Sequence, residues 1–330
     1  MCLVFKKFRK FCQPYECAAK VCQKILAGLF FCFSIPVMPI SVSADARQNP
    51  FTTFDGETLA VYDWPLPTTH HLRAVILIVH GLGEHAWRYE RLASELIHMG
   101  YVVRAYDQRG HGESVGVKGC LPSRNALLKD FAEVVDDTQT LLCKRHHLPL
   151  VVLGHSMGGL VAALWVARHI HKYGNAACPV SALVLSSPAL AVPVHLGQRL
   201  LLNTLPRWMP NLVINNGINP EYLSHDPEVV AAYKADPLVH HKISPRLAQF
   251  LAEGGPRVLA YAGKWNIPTL LLYAGSDRLV DPEGSRRFAA LAPKDLVQHH
   301  CYPKLYHEIF NELHRQEVVE HLLRWLDRRY

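Results

Sequence analysis

The 330-residue chain is long enough for one large α/β domain, and 49% hydrophobic with 19% charged residues excludes an intrinsically disordered protein. Its net charge of +7 does not point to nucleic acid. Lys6, Lys7, Arg9, Lys10, Lys20 and Lys24 against Glu16 put six minus one, or +5, in the first 44 residues, and the remainder is close to neutral. No zinc-ligand spacing, RNA-binding signature or internal repeat is present.

In chain order, the first element is a basic stretch followed by the charge-free run "ILAGLFFCFSIPVMPISVSA", ending at Val42-Ser43-Ala44. Residues 1–44 therefore read as a signal peptide or membrane anchor, which implies export or anchoring. Pro36 and Pro39 interrupt the run, and a spanning helix needs roughly 20 apolar residues. The alternative is a start at Met38, which leaves the protein cytoplasmic. Five cysteines lie in this segment, and Cys120, Cys143, Cys178 and Cys301 are too few for a disulfide scaffold; buried free thiols are expected.

From Phe51 onward, short apolar runs alternate with helical periods. Strands are predicted at 59–64, 74–79, 101–106, 150–153, 182–185, 269–273 and 296–302, with helices at 88–99, 124–145, 158–171 and 283–292. Val-, Ile- and Leu-rich runs alternating with helices predict a mostly parallel sheet covered on both faces. Between Pro188 and Ile267 no clear strand is visible, and a helical cap inserted at about 190–265 is expected. Its most apolar part, "LLLNTLPRWMPNLV", shapes a pocket or also touches a lipid surface through Arg207 and Trp208.

The chemistry centres on Gly154-His155-Ser156-Met157-Gly158, which follows a strand and opens a helix. Small residues on either side allow a sharp turn that exposes the serine hydroxyl at a helix N-terminus. A serine needs an oriented base, and partners in the order Ser, Asp, His are available. Asp277 follows a strand in "IPTLLLYAGSDRLV"; Asp281 is its rival. His307 sits in the loop between the last strand and a helix, whereas His299 and His300 fall within a strand and His314 on a helix. Backbone N–H groups of Met157 and Leu82 are the expected oxyanion donors. His80 and His155 are read as loop supports, and Asp107 and Arg109 as bracing residues.

"HGLGEHAWRYERLA", "AYDQRGHGES", "GHSMGG", "ADPLV", "GSDRLVDPEGS" and "YHEIFNE" together resemble the monoglyceride lipase and lysophospholipase branch of the α/β-hydrolases, from about Phe54 to the C-terminus. The resemblance implies an α/β-hydrolase fold with an eight-stranded sheet, a triad of Ser156, Asp277 and His307, and no cofactor or metal. In that branch the second oxyanion donor matches Leu82, and Glu84 fits a loop role. The expected reaction is hydrolysis of the carboxylic ester of a single-chain lipid, most naturally monoacylglycerol. Lysophospholipase and general carboxylesterase activity remain open, as do other reactions on this scaffold and an inactive binding protein.

Overall fold

Eight strands form one sheet in the order β1-β2-β4-β3-β5-β6-β9-β10. A computed structural model describes residues 46–65, 71–174, 176–193 and 204–330. The segment read as a signal or anchor, and Leu200 to Asn203 of the apolar cap stretch, lie outside the described residues. The strands are β1 (Arg47–Thr52), β2 (Thr58–Asp63), β3 (Val75–Val79), β4 (Val102–Tyr106), β5 (Leu150–His155), β6 (Ala182–Ser186), β9 (Thr269–Ala274) and β10 (Val297–Tyr302). β2 is antiparallel to both β1 and β4, and every other pairing is parallel.

β1 was not expected. Its sequence, Arg-Gln-Asn-Pro-Phe-Thr, is polar and exposed, so it carries none of the hydrophobic signal of the central strands. It is held by a turn in which the Thr53 N–H donates to the Glu57 carbonyl and Gly56 takes a φ of 84°.

Two apolar cores cover the two faces, as alternating side chains of a buried strand require. Leu77, Val79 and Val152 face α2 (Ala126–Thr138), α3 (Met157–Tyr173), α5 (Pro245–Leu259) and α6 (Pro282–Leu291), through Phe131, Leu160, Phe250 and Phe288. Ile76, Ile78 and Leu153 face α1 (Glu90–His98) and α7 (Arg315–Asp327), through Leu92, Leu96, Val318 and Trp325. The helix expected over 124–145 is regular only through Thr138 and then widens into a π-turn, Gln139–Cys143. The four cysteines of the body are free thiols, but only Cys143 is fully buried.

The chain between β6 and β9 is not wholly helical. It contains the short antiparallel pair β7 (Ile214–Asn215) and β8 (Lys242–Ile243), beside α4 (Pro227–Ala235) and α5. Two residues per strand are too few for a periodic signal, which is why neither was foreseen. α4 and α5 start by one device: Asp226 and Ser244 accept from N–H groups of the first turn, and proline follows each cap. α5 lies on α3, where a Cβ at Gly254 would press on Leu160.

Candidate active site

The loops after β3, β5, β9 and β10 meet at the carboxyl edge of the sheet, the usual ligand side of a parallel α/β structure. They carry Leu82, Ser156, Asp277 and His307 respectively.

Ser156 joins β5 to α3 with φ 52° and ψ −116°, a conformation costing a non-glycine residue on the order of 1–3 kcal/mol. Its backbone is pinned from three sides: its N–H donates to Ser186 O, and its carbonyl accepts from Leu160 and Ala189. The flanking glycines are obligatory. A Cβ at Gly158 would run into the carbonyls of Val79 and His80, and one at Gly154 would sit 2.7 Å from Gly158 O.

Asp277 and His307, with side chains 3% and 5% exposed, are joined by an Oδ2···Nδ1 hydrogen bond of 2.7 Å. The other carboxylate oxygen accepts from the N–H groups of Leu279 and Val280, both at 2.9 Å, so the aspartate cannot rotate away. An ionised carboxylate only accepts, so Nδ1 carries the proton and Nε2 keeps its lone pair. Burial pulls the His307 pKa down, but the Asp277 charge and hydrogen bond outweigh it and the net shift is upward. Burial likewise pushes Asp277 up, and His307 and the two N–H donors bring it below the ordinary carboxylate range.

Asp281, the rival acid, is occupied elsewhere: its Oδ1 caps α6 by accepting from Glu283 N at 2.9 Å, with Pro282 at the first helical position. His299 and His300 lie on β10, and His314 is the exposed residue preceding α7 rather than a helical one.

Ser156, Met157, Leu82 and His307 line one cavity of about 300 Å³. Among the described residues neither the Leu82 nor the Met157 N–H has an intramolecular acceptor. Gly81 allows the close approach, since a Cβ there would lie 3.1 Å from the Ser156 Cβ. His80 fixes this loop: its Nδ1–H donates to Gly81 O at 2.7 Å, and its Nε2 accepts from Gln108 N at 2.8 Å. Burial lowers its pKa to about 3, so it stays neutral. His155, likewise lowered to about 3 by burial, is bonded to Ser186 Oγ. Asp107 accepts from Ala86 N and Glu113 N, and Arg109 chelates Asp130 and reaches Asp55. His80 and Asp107 are thus tied to backbone groups, and His155 and Arg109 to other side chains.

A charge cluster that local sequence patterns do not announce reaches the cavity wall through Glu84 and Glu308. Glu84 accepts from Gly81 N and from Tyr89 OH, and pairs with Arg88, which also binds Glu308 next to His307. Arg88, 9% exposed, thus ties the loop after β3 to the loop after β10. Burial raises the Glu84 pKa; Glu308, pushed up by burial too, is held low by Arg88. Replacing Arg88 with methionine should cost about 3–5 kcal/mol, because two buried carboxylates lose their counter-charge. Both carboxyls then favour protonation, so the deficit in chemical denaturation should shrink as pH falls. A deficit independent of pH would refute this assignment.

A family model described as serine aminopeptidase, S33 (Hydrolase_4) matches residues 70–314. The chain belongs to this family. It is 36% identical to a monoacylglycerol lipase of Mycolicibacterium smegmatis over 86% of this chain and 98% of that protein. The crystal structure of a Paleococcus ferrophilus monoacylglycerol lipase superposes with a TM-score of 0.69 at 28% identity, covering 86% of this chain and 98% of the other. An uncharacterized abhydrolase domain-containing protein of Dictyostelium discoideum is 34% identical over 84% of this chain, which spans only 28% of that protein's length. The fold expected from the motifs is thereby shown, including its mostly parallel eight-stranded sheet.

Proposed function

We propose that the chain is a serine esterase that cleaves monoacylglycerol through an acyl-enzyme. The observation that carries this reading is the buried Asp277–His307 hydrogen bond on the wall of the cavity that also holds the strained Ser156. His307 Nε2 takes the Ser156 proton as Oγ attacks the ester carbonyl, and Asp277 stabilises the imidazolium. The Leu82 and Met157 N–H groups receive the oxyanion, each contributing on the order of 10²–10³ in rate. His307 then protonates the departing alcohol, and water releases the acid by the reverse sequence.

The cavity suits a lipid with a small hydroxylated head. Met157, Val192, Ile218, Leu251 and Val280 give it an apolar wall. Asn216 Nδ2 and Tyr233 OH, on residues of the same wall, have no hydrogen-bond partner among the described residues and are available to glycerol hydroxyls. Arg278 also lines it, its guanidinium 5.0 Å and 5.4 Å from the rings of Tyr222 and Tyr306. A hydrolysis panel of monoacyl-, diacyl- and triacylglycerols with lysophosphatidylcholine tests the assignment. Preference for lysophosphatidylcholine would replace it with the lysophospholipase reading.

Contact with a lipid surface is part of the proposal. Trp208 is 84% exposed, and Met209, Leu212 and Ile214 are exposed beside it. Among the described residues no helix is long and apolar enough to cross a membrane, so this face would rest on the lipid. Trp208→Ser should lower turnover of monoolein in vesicles about tenfold while leaving hydrolysis of soluble p-nitrophenyl butyrate unchanged. Equal loss on both substrates would sink the idea. Export or anchoring through residues 1–44 remains part of the same proposal, and N-terminal sequencing of the native protein tests it.

A further inference from the structure

A second constellation of ligating side chains lies outside the catalytic cavity. His300 and Tyr302 are two residues apart on β10 and so project to one face of it. Glu317 and His321 are one turn apart on α7, on a common face of that helix. The structure brings these together: one ligand atom each of His300, Glu317 and His321 all lie within 4.8 Å of one another. The rings of His300 and His321 are 4.4 Å apart, and none of the three residues lines the catalytic cavity.

We infer that His300, Glu317 and His321 form a binding site for one zinc-class divalent ion. Two imidazoles and a carboxylate are a recognised zinc donor set, with the fourth tetrahedral position left to water. Zinc bonds to such donors are about 2.0–2.2 Å long, so ligand atoms in a closed site sit roughly 3.3–3.5 Å apart. Half-buried His300 and exposed Glu317 would close the present spacing by moving onto His321. The donors are too nitrogen-rich for magnesium or calcium, which prefer oxygen.

The site has its orienting partner in place. Tyr302 OH is hydrogen-bonded to His321 Nδ1 at 2.6 Å, which fixes that ring and leaves its Nε2 for the ion. The neighbouring cation on α7, Arg324, donates from Nε to the Glu320 carbonyl one turn back. The ion would tie β10 to α7, the two elements flanking the segment that carries His307. It is a clip on the native state, outside the path of hydrolysis.

The test uses the full chain, stripped with a chelator and titrated with Zn²⁺ against a competing chromophoric chelator. The wild type should show one equivalent that is missing from the His300→Ala/His321→Ala double variant. Tyr302→Phe should weaken that equivalent about tenfold. Zn²⁺ at 100-fold over its dissociation constant should raise the wild-type Tm by several degrees and leave that of the double variant unmoved. His314→Ala, an exposed histidine beside α7, is the control and should bind as the wild type does. Circular dichroism and p-nitrophenyl butyrate hydrolysis show that the double variant is folded. A wild type that binds no more zinc than the folded double variant overturns the inference.

Discussion

Ser156→Ala should lower kcat on any ester by about 10⁵–10⁶ while leaving the protein folded. Among the described residues that line the cavity with Leu82 and Met157, the one other hydroxyl belongs to Tyr233, on α4 and not at the head of α3, and the Leu82 and Met157 amides remain in the variant. The residual rate would come from those amides and from substrate binding, which are untouched. Alanine keeps the unfavourable φ of 52°, so unfolding free energy should change little. Ser156→Gly should instead stabilise the chain by about 1 kcal/mol, since glycine accepts that φ without strain. Labelling by a fluorophosphonate reads the same residue directly. A Ser156→Ala protein that kept even a tenth of its activity would exclude this serine as nucleophile.

Asp277→Asn should cost about 10⁴ in kcat with little change in KM. The carboxylate now accepts the Nδ1–H of His307. An amide can present its NH₂ there instead, which moves the imidazole proton to Nε2 and removes the base. The pH profile separates this from a packing defect. In the proposed mechanism hydrolysis needs neutral His307, so wild-type kcat/KM should be lost as pH falls through a pKa above the ordinary histidine value. In the variant the desolvation that lowers the pKa is opposed only by the charges of Glu308 and Glu84, which act less strongly than Asp277, so the acid limb of the residual activity should move to lower pH. An unmoved limb would mean that another group titrates.

The central strands were legible because buried parallel strands are written as runs of Val, Ile and Leu. Val75–Val79 and Leu150–His155 fall within two residues of the expected limits. β1 was not, because an exposed edge strand with Pro50 has no inward face to announce. At the site, Ser156, Asp277 and His307 were picked out by order and by position after strands. The contest between Asp277 and Asp281 could have been closed at that level: Asp281-Pro282-Glu283 is a helix-start signature, and a capping carboxylate is already engaged. Arg88 could not have been found so. Its partner Glu308 is 220 positions away, and only folding joins them.

The insertion between β6 and β9 is fastened to the loops beneath it by main-chain hydrogen bonds. His240 N donates to Gly83 O, next to Leu82, and Glu308 N, next to His307, donates to Leu223 O. Backbone bonds of this kind survive any change of side chain except to proline at the donor, so the sequence of the insertion can drift toward new acyl groups without loosening the reacting atoms. Excising the insertion is another matter. A shortened chain would lose two splints at once, and it should be a sluggish enzyme on every substrate, not a more permissive one.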